Sequence, residues 1–297
     1  MTSRNIIKIA DQDIVFLSYD EQNAEKNYAD LKRKIPWAKR VHGVDGSDAA
    51  HKACAEISDT KHFITVDGDT IVDPEFLNVE LDTTAMGLND DYQFSWCGNI
   101  NVNGLKYGNG SLKMWTKDFV QNMKTHENTD GSDDTQVEFC YFDNYYQLNE
   151  NYSTSIINSS PAQAWRAGFR EGVKMSLDRG SKVKDLNKDI WAKNLHRLLI
   201  WMNVGTDVEH GWWSCFGARQ GCYLTMCTDW NYYLTRDFKA LNELWKENET
   251  HNDIDQLMKT YSESLISKGI NIGLDPLEPQ QSKFFKQVYV NNTRRFK

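Results

Sequence analysis

Two carboxylates one residue apart close a short run of β-forming residues: Phe63, Ile64, Thr65 and Val66 lead straight into Asp67, Gly68 and Asp69. An apolar, β-branched run of this length suits a strand buried on both faces of a parallel sheet. The glycine permits a tight backbone turn, so Asp67 and Asp69 can converge on one point at the strand's carboxyl end. Two hard oxygen ligands in such a place suit Mn²⁺ or Mg²⁺, ions that take their other ligands from water and from a substrate diphosphate. The same residues also fit a plain Asp-Gly turn between two strands, with Asp69 as a cap.

A pair of aspartates works as a site only if the elements around it end together, as they do at the carboxyl edge of an open α/β sheet. Residues 13–20 hold the run Ile14, Val15, Phe16 and Leu17, which reads as the first parallel strand. Residues 21–35 carry Tyr28, Leu31 and Ile35 at helical spacing and stop at Pro36. A short second strand and a glycine-punctuated loop follow over 38–46, with Ser47 or Asp48 placed to cap a helix over 49–58. In that helix Ala50, Cys54 and Ile57 form the buried stripe, and His51 and Lys52 lie near the first turn.

After the aspartates, Asp73 and Pro74 read as a helix N-cap and first helical residue. Residues 92–97 alternate at period two, and the glycine- and asparagine-rich stretch 98–110 leads to another strand, so a hairpin is predicted. A polar, acidic loop spans 124–136, a further strand is predicted over 137–146, and helical character begins at Ser153. Helices are expected over 162–176, 187–204 and much of 230–268.

The chain has 297 residues, 40% of them hydrophobic, which is ample for one large α/β domain. Apolar runs such as 198–202 are far shorter than the roughly 20 residues of a membrane span. The first residues lack a signal-peptide core, so a soluble, cytoplasmic protein without a membrane partner is expected. Six cysteines without a C-x-x-C pair signal neither a zinc site nor a disulfide framework. A formal net charge of −8 counts against a protein coated in basic surface and leaves only a local groove for nucleic acid.

The order strand, helix, strand, helix, strand and Asp-X-Asp over residues 10–120 resembles the nucleotide-binding half of GT-A-type glycosyltransferases. Residues 37–44 (Trp-Ala-Lys-Arg-Val-His-Gly-Val) and 50–55 (Ala-His-Lys-Ala-Cys-Ala) are similar to glycosyltransferase-like proteins of tailed bacteriophages. So are residues 205–221, which end in a Gly-Ala-Arg-x-Gly turn. That set includes enzymes thought to glycosylate modified bases in phage DNA. The resemblance implies an α/β fold, a Rossmann-like mixed sheet flanked by helices with a helical C-terminal addition. Residues 1–152 would form the nucleotide-sugar core, and 153–297 the acceptor-side, helical part of the same domain.

It further implies a metal-dependent transfer from a nucleoside-diphosphate sugar, with UDP favoured. Ser18, Tyr19, Asp20 and Glu21 would border the base, Asp45 would face base or ribose, and His51 and Lys52 would sit near the diphosphate. Asp67 and Asp69 would hold Mn²⁺ or Mg²⁺, with His210 as a third ligand. An inverting enzyme of this fold needs a carboxylate base at the acceptor hydroxyl; Asp133, Asp134, Glu138 and Asp143 are the candidates by position. The implied acceptor is 5-hydroxymethylcytosine in duplex phage DNA, in the host cytoplasm, with no obligate protein partner.

Each residue has an ordinary reading beside the functional one. Asp45 and Gly46 make a turn; Asp20 and Glu21 begin a helix, where acidic residues favour the dipole. His51 and His210 fit a core edge and a polar turn. Asn101, Asn103, Asn109 and Lys106 suit either sugar hydroxyls or an ordinary hairpin. Arg166 and Arg170, one turn apart, suit either phosphate or solvent. Rival functions are transfer to a sugar or protein acceptor, a nucleotidyltransferase, and a silent binding protein. A nucleotidyltransferase should carry a glycine-rich phosphate loop after its first strand, and residues 18–23 contain no glycine. A silent binder would more readily lose one of the two aspartates.

Overall fold

Ile14, Val15 and Phe16 are wholly buried, and their side chains go to two different cores. Ile14 and Phe16 join Leu31, Ile64, Val66, Trp96 and Met114, whereas Val15 joins Val41, Cys54, Phe63 and Trp115. This is the period-two alternation of a strand covered on both faces. The computed structural model describes residues 4–123 and 139–290. Its chain divides into two compact units, Met1–Asn99 with Lys106–Ile156, and Ile100–Leu105 with Ile157–Lys297.

The first unit is built on a mixed sheet. Its strands are β1 (Ile6–Lys8), β2 (Asp13–Ser18), β3 (Lys39–His42), β4 (His62–Asp67), β5 (Thr70–Val72), β6 (Glu80–Asp82), β7 (Gln93–Ile100), β8 (Lys106–Tyr107), β9 (Leu112–Thr116) and β10 (Tyr145–Ser155). The order is β3, β2, β4, β9, β7, β10, β5, with β8 on β7; β1 and β6 pair separately. β2 runs parallel to β3 and β4, and β9 is antiparallel to β4 and β7. Among the described residues it is flanked by the helices α1 (Ala24–Lys34), α2 (Ser47–Ile57) and α3 (Lys117–Asn122). The fold is α/β, a mixed sheet flanked by helices, with a helical C-terminal part.

Local details depart from the sequence reading. α1 starts at Ala24, because the Glu21 carbonyl accepts from the Ala24 amide in a turn before the helix. α2 starts at Ser47 with Gly46 in the N-cap position at φ +96°, so neither Ser47 nor Asp48 is the cap. Its buried stripe is Ala50, His51, Cys54 and Ala55, while Ile57 is 39% exposed. Positions 51, 54 and 55 keep the i, i+3, i+4 spacing of one helix face, and Ile57, i+7 from Ala50 and the last residue of the helix, lies at the edge of that face. Of the strand expected over 137–146, the described residues 139–144 are not extended, with a 3₁₀ turn over Phe139–Tyr141; β10 begins at Tyr145 and stays extended to Ser155 because Ser153 and Ser155 pair with Val72 and Thr70 of β5. Asp73 accepts from the Glu75 amide ahead of Pro74, as expected, although the helix it caps is a 3₁₀ turn.

The second unit is mostly helical: α4 (Pro161–Lys174), a ribbon of β11 (Leu177–Asp178) and β12 (Ser181–Lys182), then α5 (Leu186–Asp189), α6 (Ala192–Asn203), α7 (Gly211–Cys227), α8 (Phe238–Glu249), α9 (Ile254–Ser267) and α10 (Pro279–Phe285). Ser160 caps α4, accepting from the Gln163 amide at 3.1 Å. Residues 217–221, read as a turn, lie inside α7. A Cβ at Gly217 would stand 2.2 Å from the Trp165 carbonyl, one at Gly221 2.3 Å from that of Phe169, and one at Gly168 2.0 Å from that of Ser214. The glycines serve backbone-to-backbone contact between α4 and α7, not a change of chain direction. Among the described residues no helix is long and apolar enough to cross a membrane.

Candidate functional site

The carboxyl ends of β2, β3 and β4 lie level in the first unit. Leu17 pairs with Asp67, and Ser18 pairs with His42. The turn that follows β4 is held through its main chain: the Asp67 amide donates to Ser111 at 3.2 Å, Asn27 Nδ2 donates to the Gly68 carbonyl at 3.0 Å, and the Ile156 amide donates to the Asp69 carbonyl at 2.7 Å. Asp67 and Asp69 themselves are half-buried. Gly68 is not in the left-handed region; its need for glycine is close approach. A Cβ there would lie 2.6 Å from Glu21 Oε2 and 2.9 Å from Ser18 Cβ.

Glu21 thus rests on the turn between the two aspartates. Its Oε2 accepts from the Tyr19 amide at 2.8 Å. Burial pushes its pKa above the ordinary carboxylate value, and the Asp20 and Asp67 charges push the same way. Tyr19 and Asp20 are exposed, and so is Asp45, in the bend between β3 and α2.

Ser18 is buried, and its hydroxyl sits 3.0 Å from His42 Nδ1 and receives Arg40 Nε at 3.2 Å. Arg40 also pairs with Glu25 at 2.7 Å and lies over the Tyr28 ring at 5.0 Å.

His51 is 5% exposed, its ring edge-on to Trp115 at 5.3 Å and tilted against Phe139. Nδ1 lies 2.8 Å from the Ser47 carbonyl and must donate to it, which leaves Nε2 as a buried lone pair with no hydrogen-bond partner among the described residues. Burial, helped by the nearby Lys113 charge, lowers its pKa from 6.5 to about 4. The ring is therefore neutral and packed inward. Lys52, one residue on, is half-buried. Lys113 of β9 is itself buried, its ammonium donating to the Gly110 carbonyl and lying 5.3 Å from the Phe139 ring centre.

No protein-family model matches the chain, and no curated protein matches it. Solved structures do. One is a glycosyltransferase involved in the glycosylation of the major capsid of PBCV-1, at 14% identity and TM-score 0.31, covering 51% of this chain and 98% of that one. Another is HddC from Yersinia pseudotuberculosis, at 14% identity and TM-score 0.27, covering 48% of this chain and 72% of that one.

The other predicted positions fall elsewhere. Asp133, Asp134 and Glu138 lie outside the described residues. Asp143 is exposed in the turn before β10. His210 belongs to the second unit, at the N-cap position of α7 with φ +56° and Nε2 3.6 Å from Glu209 Oε1. Asn109 bonds Ser155 and the Ser111 amide, which keeps its own loop in shape. In the second unit Asn101 accepts from the Ile157 amide and Asn103 from the Leu105 amide. Arg166 and Arg170 lie over the Phe238 ring at 4.9 and 5.4 Å.

Among the described residues no three His, Cys, Asp or Glu side chains gather closely enough to hold a metal ion by themselves. Asp67 and Asp69 are nonetheless a fitting donor set for a hard cation that shares its shell with a diphosphate. Sequence reasoning missed Arg40, His42 and Lys113. Arg40 and His42 carry a usable signal, since residues two apart on a strand share a face, but nothing in the sequence says that Ser18 stands beside them.

Proposed function

We propose that the protein is a glycosyltransferase that takes a nucleoside-diphosphate sugar, UDP-sugar first among them, with a divalent cation at Asp67 and Asp69. The observation that carries the reading is the level ending of three parallel strands at an Asp-Gly-Asp turn, the position where ligands gather in open α/β sheets. Bound there, Mn²⁺ or Mg²⁺ supplies charge neutralisation for the departing nucleoside diphosphate. The chain's own contribution is to present two carboxylates from a turn whose backbone is anchored at all three residues, and to border the nucleotide with Tyr19, Asp20 and Asp45. Lys52 completes the set on the diphosphate side, and His210, which belongs to the second unit and joins no group of three metal-ligating side chains among the described residues, is not kept as a ligand. His51, packed inward, supports α2 rather than reaching the diphosphate.

The acceptor proposed is 5-hydroxymethylcytosine in duplex DNA, acted on in the cytoplasm, with the base at the acceptor hydroxyl drawn from Asp133, Asp134, Glu138 and Asp143. A hydroxymethyl group in the major groove must be reached in place or flipped out, the latter at a few kcal/mol of unstacking. The test is nucleotide release from a panel of nucleotide sugars with and without Mn²⁺, followed by mass spectrometry of nucleosides from modified and unmodified duplexes. Sugar mass on the hydroxymethylated nucleoside alone supports the acceptor; release without transfer to either duplex, but with transfer to a glycan or protein, replaces it.

A further inference from the structure

Ser18 stands at the carboxyl end of β2 but is only 3% exposed, so its hydroxyl faces protein. Arg40 Nε donates to Ser18 Oγ at 3.2 Å, Ser18 Oγ lies 3.0 Å from His42 Nδ1, and Arg40 Nη2 lies 3.3 Å from that same nitrogen. A guanidinium has donors and no acceptor, so His42 Nδ1 must accept, and the network assigns the imidazole proton to Nε2. Arg40 is itself fixed by Glu25 at 2.7 Å and by the faces of Tyr28 and Phe16, at 5.0 and 5.8 Å. His42 is exposed. The result is a ring held in one tautomer at the carboxyl edge of the parallel strands, with a directed donor as its outer polar atom.

We propose that His42 Nε2–H reads the nucleobase of the donor and selects an exocyclic carbonyl over an exocyclic amine, with Ser18 and Arg40 as positioning residues. This rests on the reading of the site as a nucleoside-diphosphate site. A carbonyl oxygen accepts from Nε2–H. An amino group there sets donor against donor and leaves both unpaired on desolvation. Uracil and guanine carry the carbonyl where cytosine and adenine carry the amine. Tyr19, the residue after Ser18, is 40% exposed and gives the same loop an aromatic surface for a base.

Titration calorimetry of UDP, CDP, GDP and ADP with Mn²⁺, on the full chain, tests the proposal. UDP should bind about tenfold tighter than CDP, and GDP than ADP, the weight of one neutral hydrogen bond. His42→Ala should level both ratios, and so should His42→Gln, whose amide can turn its donor to a carbonyl or its acceptor to an amine. Nitrogen-proton correlation spectra of the imidazoles, without nucleotide, should show His42 protonated on Nε2, and Ser18→Ala should weaken that preference. A ring protonated on Nδ1, bound nucleotides without the paired preference, or a preference that survives His42→Ala overturns the proposal. Binding of none of the four removes the nucleotide-site reading as well, a result told apart by an imidazole that still shows the assigned tautomer.

Discussion

The amide of Ile156 donates a 2.7 Å hydrogen bond to the main-chain carbonyl of Asp69, so the end of β10 is tied to the turn that carries both motif aspartates. With Ser111 on the Asp67 amide and Asn27 on the Gly68 carbonyl, the turn is anchored through its backbone. Neither carboxylate is needed for that anchoring. Asp69→Asn keeps the shape, including an acceptor for the Thr70 hydroxyl, and loses the charge. The variant should unfold within about 0.5 kcal/mol of the parent. Its Mn²⁺ binding, followed by electron paramagnetic resonance, should be lost. Unaltered Mn²⁺ affinity in a folded variant would remove the metal assignment.

Gly68→Ala asks a different question of the same turn. The new methyl must displace the Glu21 carboxyl, 2.6 Å away, and press on Ser18 Cβ at 2.9 Å. Glu21 is the far end of a flexible side chain and can move; Ser18 is held on β2 and cannot move far. The expected cost is about 1–3 kcal/mol in denaturant unfolding, with weaker Mn²⁺ binding as the turn shifts. Full stability and affinity together would show that the close contact does not constrain the motif.

Most of the first unit was legible because its elements are locally specified. The runs 14–17 and 63–66 are apolar and β-branched, α1 has its period, and Pro74 after Asp73 fixes a start. The site was legible only as far as a chain-local pattern reaches. Asp67, Gly68 and Asp69 declare themselves by spacing, whereas the contact of Glu21 with Gly68 and the meeting of Ser18, Arg40 and His42 depend on strand register. His51 misled because the phase of α2 is set by packing against Trp115, and a stripe shifted by a few residues turns a solvent-facing histidine into a core one. Gly217 and Gly221 misled for a third reason: glycine serves both turns and close helix crossings, and one sequence does not distinguish them.

The stretch around Arg219 should matter for stability and not for nucleotide chemistry. Its guanidinium is fully buried and donates to the carbonyls of Met202, Gly273 and Leu274, to Ser262 Oγ and to Asn203 Oδ1. Burial lowers its pKa from 12.5 to about 10. A lysine ammonium has three donors on a single atom and cannot span that set. Arg219→Lys should therefore lose about 3 kcal/mol or more in urea unfolding, since each orphaned buried acceptor costs about 1–3 kcal/mol. Mn²⁺ binding by the folded fraction should be unaltered. A loss under about 1 kcal/mol would show that water replaces the guanidinium.

His51 should make stability depend on pH from within the core. Its folded pKa is about 4 against 6.5 for the free side chain, because protonation would place a charge between Trp115 and Phe139 with Lys113 nearby. Between those values the unfolded chain binds a proton that the folded chain refuses, so stability rises with pH across the window. It is complete above about pH 6.5 and falls as the pH drops toward 4, by on the order of 3 kcal/mol for a shift of this size. Buried His62, lowered chiefly by burial, and half-buried His196 act in the same direction, so the slope of the parent alone does not isolate His51. His51→Phe keeps an aromatic ring against Trp115 and removes the titrating nitrogen. Urea unfolding of parent and variant across this range should give two curves with a constant offset above about pH 6.5 that separate toward the acid end, the parent losing on the order of 3 kcal/mol that the variant keeps. Parallel curves would mean that the ring is hydrated or partnered in solution, and that its place in the α2 core is looser than the packing describes.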